Sequence, residues 1–417
     1  MQKASTTSRY RGLVMLWRYA LFSCALGMAG LPIYIHAPKY FVEQYEISLA
    51  TLGLALLLLR SIDFFQDPLL GRLASSTLSR GSFPLWIATA FMCFGMVFLF
   101  AIPAIISPLL WFSISLIILF SGFSFAYIRL YALGVEAFGM EGQIKIAKWR
   151  EAGTLIGICF AAAAPTILSL TGSNGYKIFA FLFCSLIIVA TFLMDSDFSK
   201  TFVKVQKQIN SVFPKDAGLQ RLLLFVFLNA LPVAVTSTLY LFYVDHVLGL
   251  EALGGALLIL FFLSAAFSAP VWTRWAEHYG ALKVLRISML VSILSFVWAY
   301  NLNAGDVIAF SIICFATGLS LGADMTILPA IFAKRLAKTK HDANAGFGIW
   351  NFSNKLALAF TAGILLPLME FAGFETQDMR SSLSREVLAM SYAIIPCGLK
   401  ILALIWLQNL IGRDKSL

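Results

Sequence analysis

Residues 47–71 read ISLATLGLALLLLRSIDFFQDPLLG: an uncharged run as far as Leu59, then Arg60, Asp63 and Asp67, then Pro68 and Gly71. An ionisable group in a bilayer core costs at least about 2.5 kcal/mol, so such groups face a bundle interior, where they pair or bind something. At helical spacing Asp63 and Asp67 lie i, i+4 on one face, with Arg60 one turn earlier. Two readings follow. In the structural one, Asp67 caps the cytoplasmic end of the span and Asp63 pairs with Arg60. In the functional one, which we favour because a purely structural ion pair in lipid is costly, the carboxylates coordinate Na⁺ or exchange a proton, oxygen being the ligand that suits a hard cation.

The rest of the chain supports a membrane setting. Of its 417 residues 60% are hydrophobic and only 12% charged, with mean hydropathy +0.84; a soluble domain carries about 25% charged residues. Apolar runs of roughly 20 residues, the length that crosses a bilayer, recur at 14–36, 47–70, 83–103, 107–130, 146–170 and 176–194. After a polar gap they return at 219–244, 251–272, 281–302, 305–332, 343–369 and 387–411. An all-α membrane protein of twelve spans is expected.

Orientation follows from the asymmetry of Lys and Arg between alternate loops. One set of loops and adjoining span ends holds 23 of them and the other only Lys39, Lys177, Arg380 and Arg385, which predicts cytoplasmic termini. The net charge of +10 is therefore a topology signal and not a nucleic-acid one. Cys24, Cys93, Cys159, Cys184, Cys314 and Cys397 all fall in apolar spans without Cys-x-x-Cys spacing and read as packing residues. The first apolar stretch is longer than a signal-peptide core and reads as a retained first span.

The longest polar interruption, Asp195 to Asp216, falls between the sixth and seventh spans. It predicts an N-terminal six-helix bundle over 1–194, a cytoplasmic linker over 195–218 and a C-terminal bundle over 219–417, the plan of major facilitator transporters, with the solute path between the halves. Basic turns follow the second span (Arg72 to Arg80) and the eighth (Arg274 to Lys283). Pro32, Pro165, Pro232 and Pro329 interrupt spans. Gly27 with Gly30, and Gly318 with Gly322, are placed for close helix approach.

Other polar groups sit in or beside apolar spans. Tyr127, Arg129 and Tyr131 occupy the fourth, with Glu136 beyond. Arg150 opens the fifth beside Glu151, and is either a cytoplasmic anchor or a gate or solute ligand. Lys355, partway into the eleventh, is placed to compensate the carboxylates when no cation is bound, or else snorkels or pairs locally. Asp324 in the tenth is a third carboxylate, a partner for Lys355 or half of a structural pair. Lys400 in the twelfth reads as snorkelling or paired. Tyr34, Tyr127, Tyr131, Tyr240, Tyr243 and Trp350 are candidates to line a cavity, and Asn354 is a further polar group beside Lys355 in the eleventh span. The four histidines lack ligand spacing, so no transition-metal site is expected. The chain has no His-Glu-x-x-His or Gly-x-Ser-x-Gly, which argues against a membrane enzyme.

Arg60-x-x-Asp63-x-x-x-Asp67-Pro68-x-x-Gly71 resembles the cation motif of the glycoside-pentoside-hexuronide:cation symporters, the melibiose permease family. Lys355 and Arg150 fall where that family has its functional lysine and arginine, and the resemblance runs over nearly the whole chain. It implies a major facilitator fold, alternating access, and a Na⁺ or H⁺ site on Asp63 and Asp67 with Lys355. Arg60, Tyr127, Arg129, Tyr131, Arg150, Asp324, Trp350 and Asn354 are then substrate or gating candidates. Two positions depart from the family: its sugar-binding aspartates on the first and fourth spans fall at Gly27 and Tyr127, so the cation machinery carries over better than galactoside recognition. The expected function is cation-coupled symport of a sugar, glycoside or other small organic solute across the inner membrane, by a monomer in lipid with no cofactor beyond the coupling ion and no nucleic-acid partner. The alternative is a major facilitator permease for an unrelated cargo such as a siderophore, peptide fragment or lipid.

Overall fold

The computed structural model of the protein describes residues 2–47, 49–75, 83–169, 174–202, 216–250, 253–339, 341–371 and 382–413, though not every side chain within them. Among these the chain is helical and has no strand. In lipid this is what the backbone requires, because a helix satisfies its own N–H and C=O groups where no water can. The helices are α1 (Gln2–Ala29), α2 (Leu31–Tyr45), α3 (Leu49–Ser75), α4 (Phe83–Phe100), α5 (Pro108–Phe138), α6 (Gln143–Ser169) and α7 (Gly175–Phe202). They continue with α8 (Ala217–Phe242), α9 (Gly254–Tyr279), α10 (Ala281–Phe296), α11 (Val307–Thr339), α12 (Ala343–Phe371) and α13 (Ser382–Arg413).

Eight helical segments among the described residues, on α4, α5, α7, α8, α9, α10, α11 and α13, are long and apolar enough to cross a bilayer, so the chain is a multi-pass membrane protein. The sequence-predicted spans at 47–70, 146–170 and 343–369 fall on α3, α6 and α12. The one at 14–36 is divided between α1 and α2, and the break falls at Gly30. Pro32 follows at the start of α2, where its missing N–H leaves no hydrogen bond unmade. Pro165, Pro232 and Pro329 are carried inside α6, α8 and α11.

The helices group into two compact units, one of Met1–Pro214 with Leu336–Ile349, the other of Lys215–Arg335 with Trp350–Leu417. The first unit thus takes in the opening turns of α12. Asp342 caps that helix, its Oδ1 accepting from the Ala345 N–H at 2.8 Å, which satisfies one of the donors a helix start leaves open.

In the first unit α1 and α6 pack backbone to backbone. A Cβ on Gly27 would overlap the Thr154 carbonyl, one on Gly153 the Ala20 carbonyl and one on Gly157 the Cys24 carbonyl; Gly153 and Gly157, one turn apart on α6, and Gly27 on α1 are what permit the approach. Tyr19 of α1 donates to the Leu130 carbonyl of α5 at 2.5 Å, and Thr89 and Thr191 join α4 to α7 at 2.7 Å. In the second unit Gly318 and Gly322 of α11 lie against Phe261, Ala265 and Ser268 of α9. Tyr243 stacks on Tyr392 at 4.1 Å and donates to the Ala299 carbonyl, while Tyr240 donates to the Gly254 carbonyl at 2.8 Å. Both tyrosines, expected to line a cavity, are buried in the core of this unit.

Candidate functional site

The site of the first unit is built from α3 outward. Asp67 is fully buried, at 0% exposure, and it is engaged in interactions of its own. The side chains of Arg60 and Asp63 lie outside the described residues. One turn beyond Asp67, Gly71 meets the start of α12: a Cβ there would sit 3.0 Å from the Asn344 carbonyl oxygen and 3.1 Å from the Gly348 Cα. From the other side, a Cβ on Gly348 would sit 3.0 Å from the Gly71 Cα and 3.1 Å from the Asp67 carbonyl oxygen. Glycine at both positions allows the two backbones to touch. Ser75, a further turn along, donates to Asp342 Oδ1 at 2.7 Å, so the residue that caps α12 also ties it to α3.

Arg129 of α5 is buried; its Nη1 donates to Asn344 Oδ1 at 3.0 Å and lies 3.9 Å from Glu136 Oε1. Glu136 is two turns away along α5, a distance the two long side chains span.

Arg150 stands at the centre of a second polar cluster, between α6 and α5. It is buried at 2% exposure, so it is no cytoplasmic anchor. Its Nε donates to Glu151 Oε1 at 2.7 Å, its guanidinium lies 3.6 Å from the centroid of the Tyr131 ring, and the Tyr131 hydroxyl donates to the same Glu151 oxygen at 2.7 Å. Arg150 Nη2 is buried and has no hydrogen-bond partner among the described residues. Tyr131 is flanked by two further rings, Tyr127 at 4.3 Å and Phe347 at 4.9 Å. The aromatic rings keep water from the guanidinium while Glu151 neutralises it, and Nη2 remains as a donor for a hydroxyl or carboxylate oxygen.

In the second unit, Trp350 is buried against Phe332 at 5.0 Å. Asn354 donates to the Trp350 carbonyl one turn back at 3.1 Å. Lys355 is half-buried and makes interactions of its own. The partner of Asp324 is Lys400, whose Nζ lies 2.5 Å from Asp324 Oδ2 and also donates to Asn229 Oδ1 at 2.8 Å.

The family profile described as MFS/sugar transport protein matches residues 18–410. The chain belongs to this family. It includes melibiose permease-like symporters, and membership makes the chain a transporter and not an enzyme. No curated protein is similar enough to count as a match. Among solved structures, this transporter is similar to a bacterial homologue of the iron transporter ferroportin in its outward-facing state, with TM-score 0.67 and 14% identity over 97% of this chain and 99% of that one. The same homologue with soaked iron gives TM-score 0.70 and 15% identity over the same shares. At such identities the likeness is one of fold.

For an MFS transporter the polar groups to which the sequence assigned no functional role are informative. Glu151 had a signal, since it stands beside Arg150 where an apolar span opens and one charge there calls for another. Lys400 and Asn229 had a weaker one: each is polar within an apolar run, but nothing in the spacing says they share a partner. Asp342 and Asn344 had none, because they stand at the very start of α12, where polar residues are ordinary. No group of three or more His, Cys, Asp or Glu placed to hold a metal ion occurs among the described residues.

Proposed function

We propose that this transporter is a cation-coupled symporter that takes up a small organic solute by alternating access, with the α3 carboxylates Asp63 and Asp67 as the Na⁺ or H⁺ site and Lys355 as their compensating charge. The observation that carries this reading is the complete burial of Asp67 within the Arg60-to-Gly71 motif. A carboxylate held away from water needs a cation, a proton or a counter-charge, and an exchangeable one links its occupancy to conformation. The solute side draws on Arg150: its free Nη2, beside Tyr131 and Tyr127, suits the hydroxyls and ring faces of a sugar or glycoside. With Gly27 and Tyr127 at the positions of the family's sugar aspartates, the preferred solute is not a galactoside.

In this reading twelve spans form two six-helix bundles, 1–194 and 219–417, joined by a linker over 195–218. Both termini are cytoplasmic, the membrane is the inner one, and the protein works as a monomer in lipid with no cofactor beyond the coupling ion. Cation and solute strengthen each other's binding, since each removes a cost of burying the other. Gradient-driven uptake into vesicles tests the assignment: Asp63→Asn and Asp67→Asn should each abolish accumulation above equilibrium, and undiminished accumulation in either would sink it. A thermal-shift screen of sugars and glycosides with and without Na⁺ identifies the solute, because a ligand stabilises the state it binds.

A further inference from the structure

We propose that the edge of the second unit where α8 begins and α13 finishes binds one anionic phospholipid, with Arg221 and Asn409 holding the headgroup phosphate and Trp406 and Leu410 walling its glycerol region. A cavity of about 110 Å³ lies there, lined by these four residues. The membrane-crossing segments run Ala217–Val247 and Arg385–Leu410, so each of the four sits within about one turn of a span end, at headgroup depth. The site needs only a chain that spans the membrane. The orientation given under Proposed function adds that the leaflet is the cytoplasmic one, where anionic lipids concentrate.

Charge selects the ligand. Arg221 is half-buried, and its guanidinium makes no hydrogen bond or ion pair among the described residues. Arg335 of α11, by contrast, is neutralised: its Nε and Nη2 donate to the two oxygens of Asp216, each at 3.1 Å. A guanidinium left without a counter-charge presents paired N–H donors that match two oxygens of a phosphate, and Asn409, exposed on α13, adds its amide N–H groups. Trp406 does not compete for the ligand. Its indole N–H donates to the Arg221 carbonyl at 3.3 Å, which pins the ring across the α8–α13 contact as a fixed wall, at the depth where tryptophan belongs in a membrane protein.

The surface beside the cavity continues in the direction acyl chains would take. Leu224, one turn into α8 from Arg221, is exposed, and so are Ile405 and Leu402, one and two turns back from Asn409 along α13. An exposed apolar face that ends in an uncompensated arginine matches a lipid along its length, tails against leucine and isoleucine and phosphate against the guanidinium. A zwitterionic lipid offers the same phosphate but adds an ammonium, which Arg221 repels and for which the four lining residues supply no carboxylate. An anionic headgroup carries no such cost.

Thermal unfolding of the full chain in detergent, titrated with phosphatidylglycerol, phosphatidylcholine or inorganic phosphate, tests the site without reference to transport. Phosphatidylglycerol should raise the melting temperature saturably, and the other two should not. Arg221→Gln should weaken the apparent affinity for phosphatidylglycerol roughly tenfold, the effect of losing one charge-assisted hydrogen bond, and Arg221→Lys, which keeps the charge without the fork, should fall between. Should Arg221→Gln fail to fold, native mass spectrometry of Asn409→Leu beside the wild type gives the same comparison, with less phosphatidylglycerol retained by the variant. An equal response to phosphatidylglycerol in wild type and variant overturns the proposal, and so does an equal rise with phosphatidylcholine. A rise with inorganic phosphate alone would assign the cavity to a free anion and overturn it as well.

Discussion

Arg150 lies 3.6 Å over the ring of Tyr131, and both residues are bound to one oxygen of Glu151. The guanidinium is thus held by a cation–π contact on one side and a charge-assisted hydrogen bond on another, in a site closed to water. Desolvation strengthens both interactions, and it also makes each of the three residues depend on the other two.

Tyr131→Phe keeps the ring and removes only the hydroxyl bond to Glu151. It should lower stability by about 1.5–3 kcal/mol, the range for a hydrogen bond to a charged group. Tyr131→Leu should cost about 2 kcal/mol more through loss of the ring face. Melting curves of the three proteins in detergent check the order, and coincident curves would contradict the geometry.

Gly348 faces the α3 backbone at Gly71 and Asp67. Gly348→Ala asks its neighbours to move by a few tenths of an ångström and should be tolerated. Gly348→Leu cannot be accommodated without displacing the start of α12, at about 1–3 kcal/mol as overpacking goes. Vesicle uptake should fall in that order, Gly348→Ala retaining most of it; equal uptake in both would show that this crossing is not needed for transport.

Gly27→Asp restores the carboxylate that melibiose permease has at the corresponding position. Because a Cβ at Gly27 overlaps the Thr154 carbonyl, the variant should lose the α1–α6 contact and confer no galactoside binding. Strain of about 1–3 kcal/mol from overpacking is joined by the burial of an unpaired charge. Expression level and melting temperature report the damage, and a stable variant that binds melibiose would refute the placement.

Removing one partner of a buried ion pair leaves the other uncompensated, at about 3–5 kcal/mol. Lys400→Met should therefore destabilise the second unit more than Asp324→Asn/Lys400→Met, although the latter changes more atoms. Thermal unfolding of the two variants beside the parent gives the comparison directly.

Much of this protein was legible in the order of its residues. The helices follow the apolar runs because a chain in lipid has few other ways to satisfy its backbone. The position of the α1–α2 break was less legible. Pro32 signals an interruption, but it can occupy the first turn of a new helix, so the break falls before it, at Gly30. Tyr240 and Tyr243 illustrate the limit for side chains. Their hydroxyls suggest a cavity, yet each finds a backbone carbonyl inside the core, and residue type alone does not distinguish a wet partner from a dry one.

By itself the sequence determined that the chain is a helical membrane protein and that α3 carries charges an apolar helix does not need for folding. Both conclusions rest on local quantities: run length, hydropathy and i, i+4 spacing. Tertiary structure alone decided the partners. It joined Arg150 to Glu151 and Tyr131, Arg129 to Asn344, and Asp324 to Lys400 in place of Lys355. Those pairings depend on how helices rotate about their axes and where glycines let them approach, and that is set by packing between segments distant in the chain.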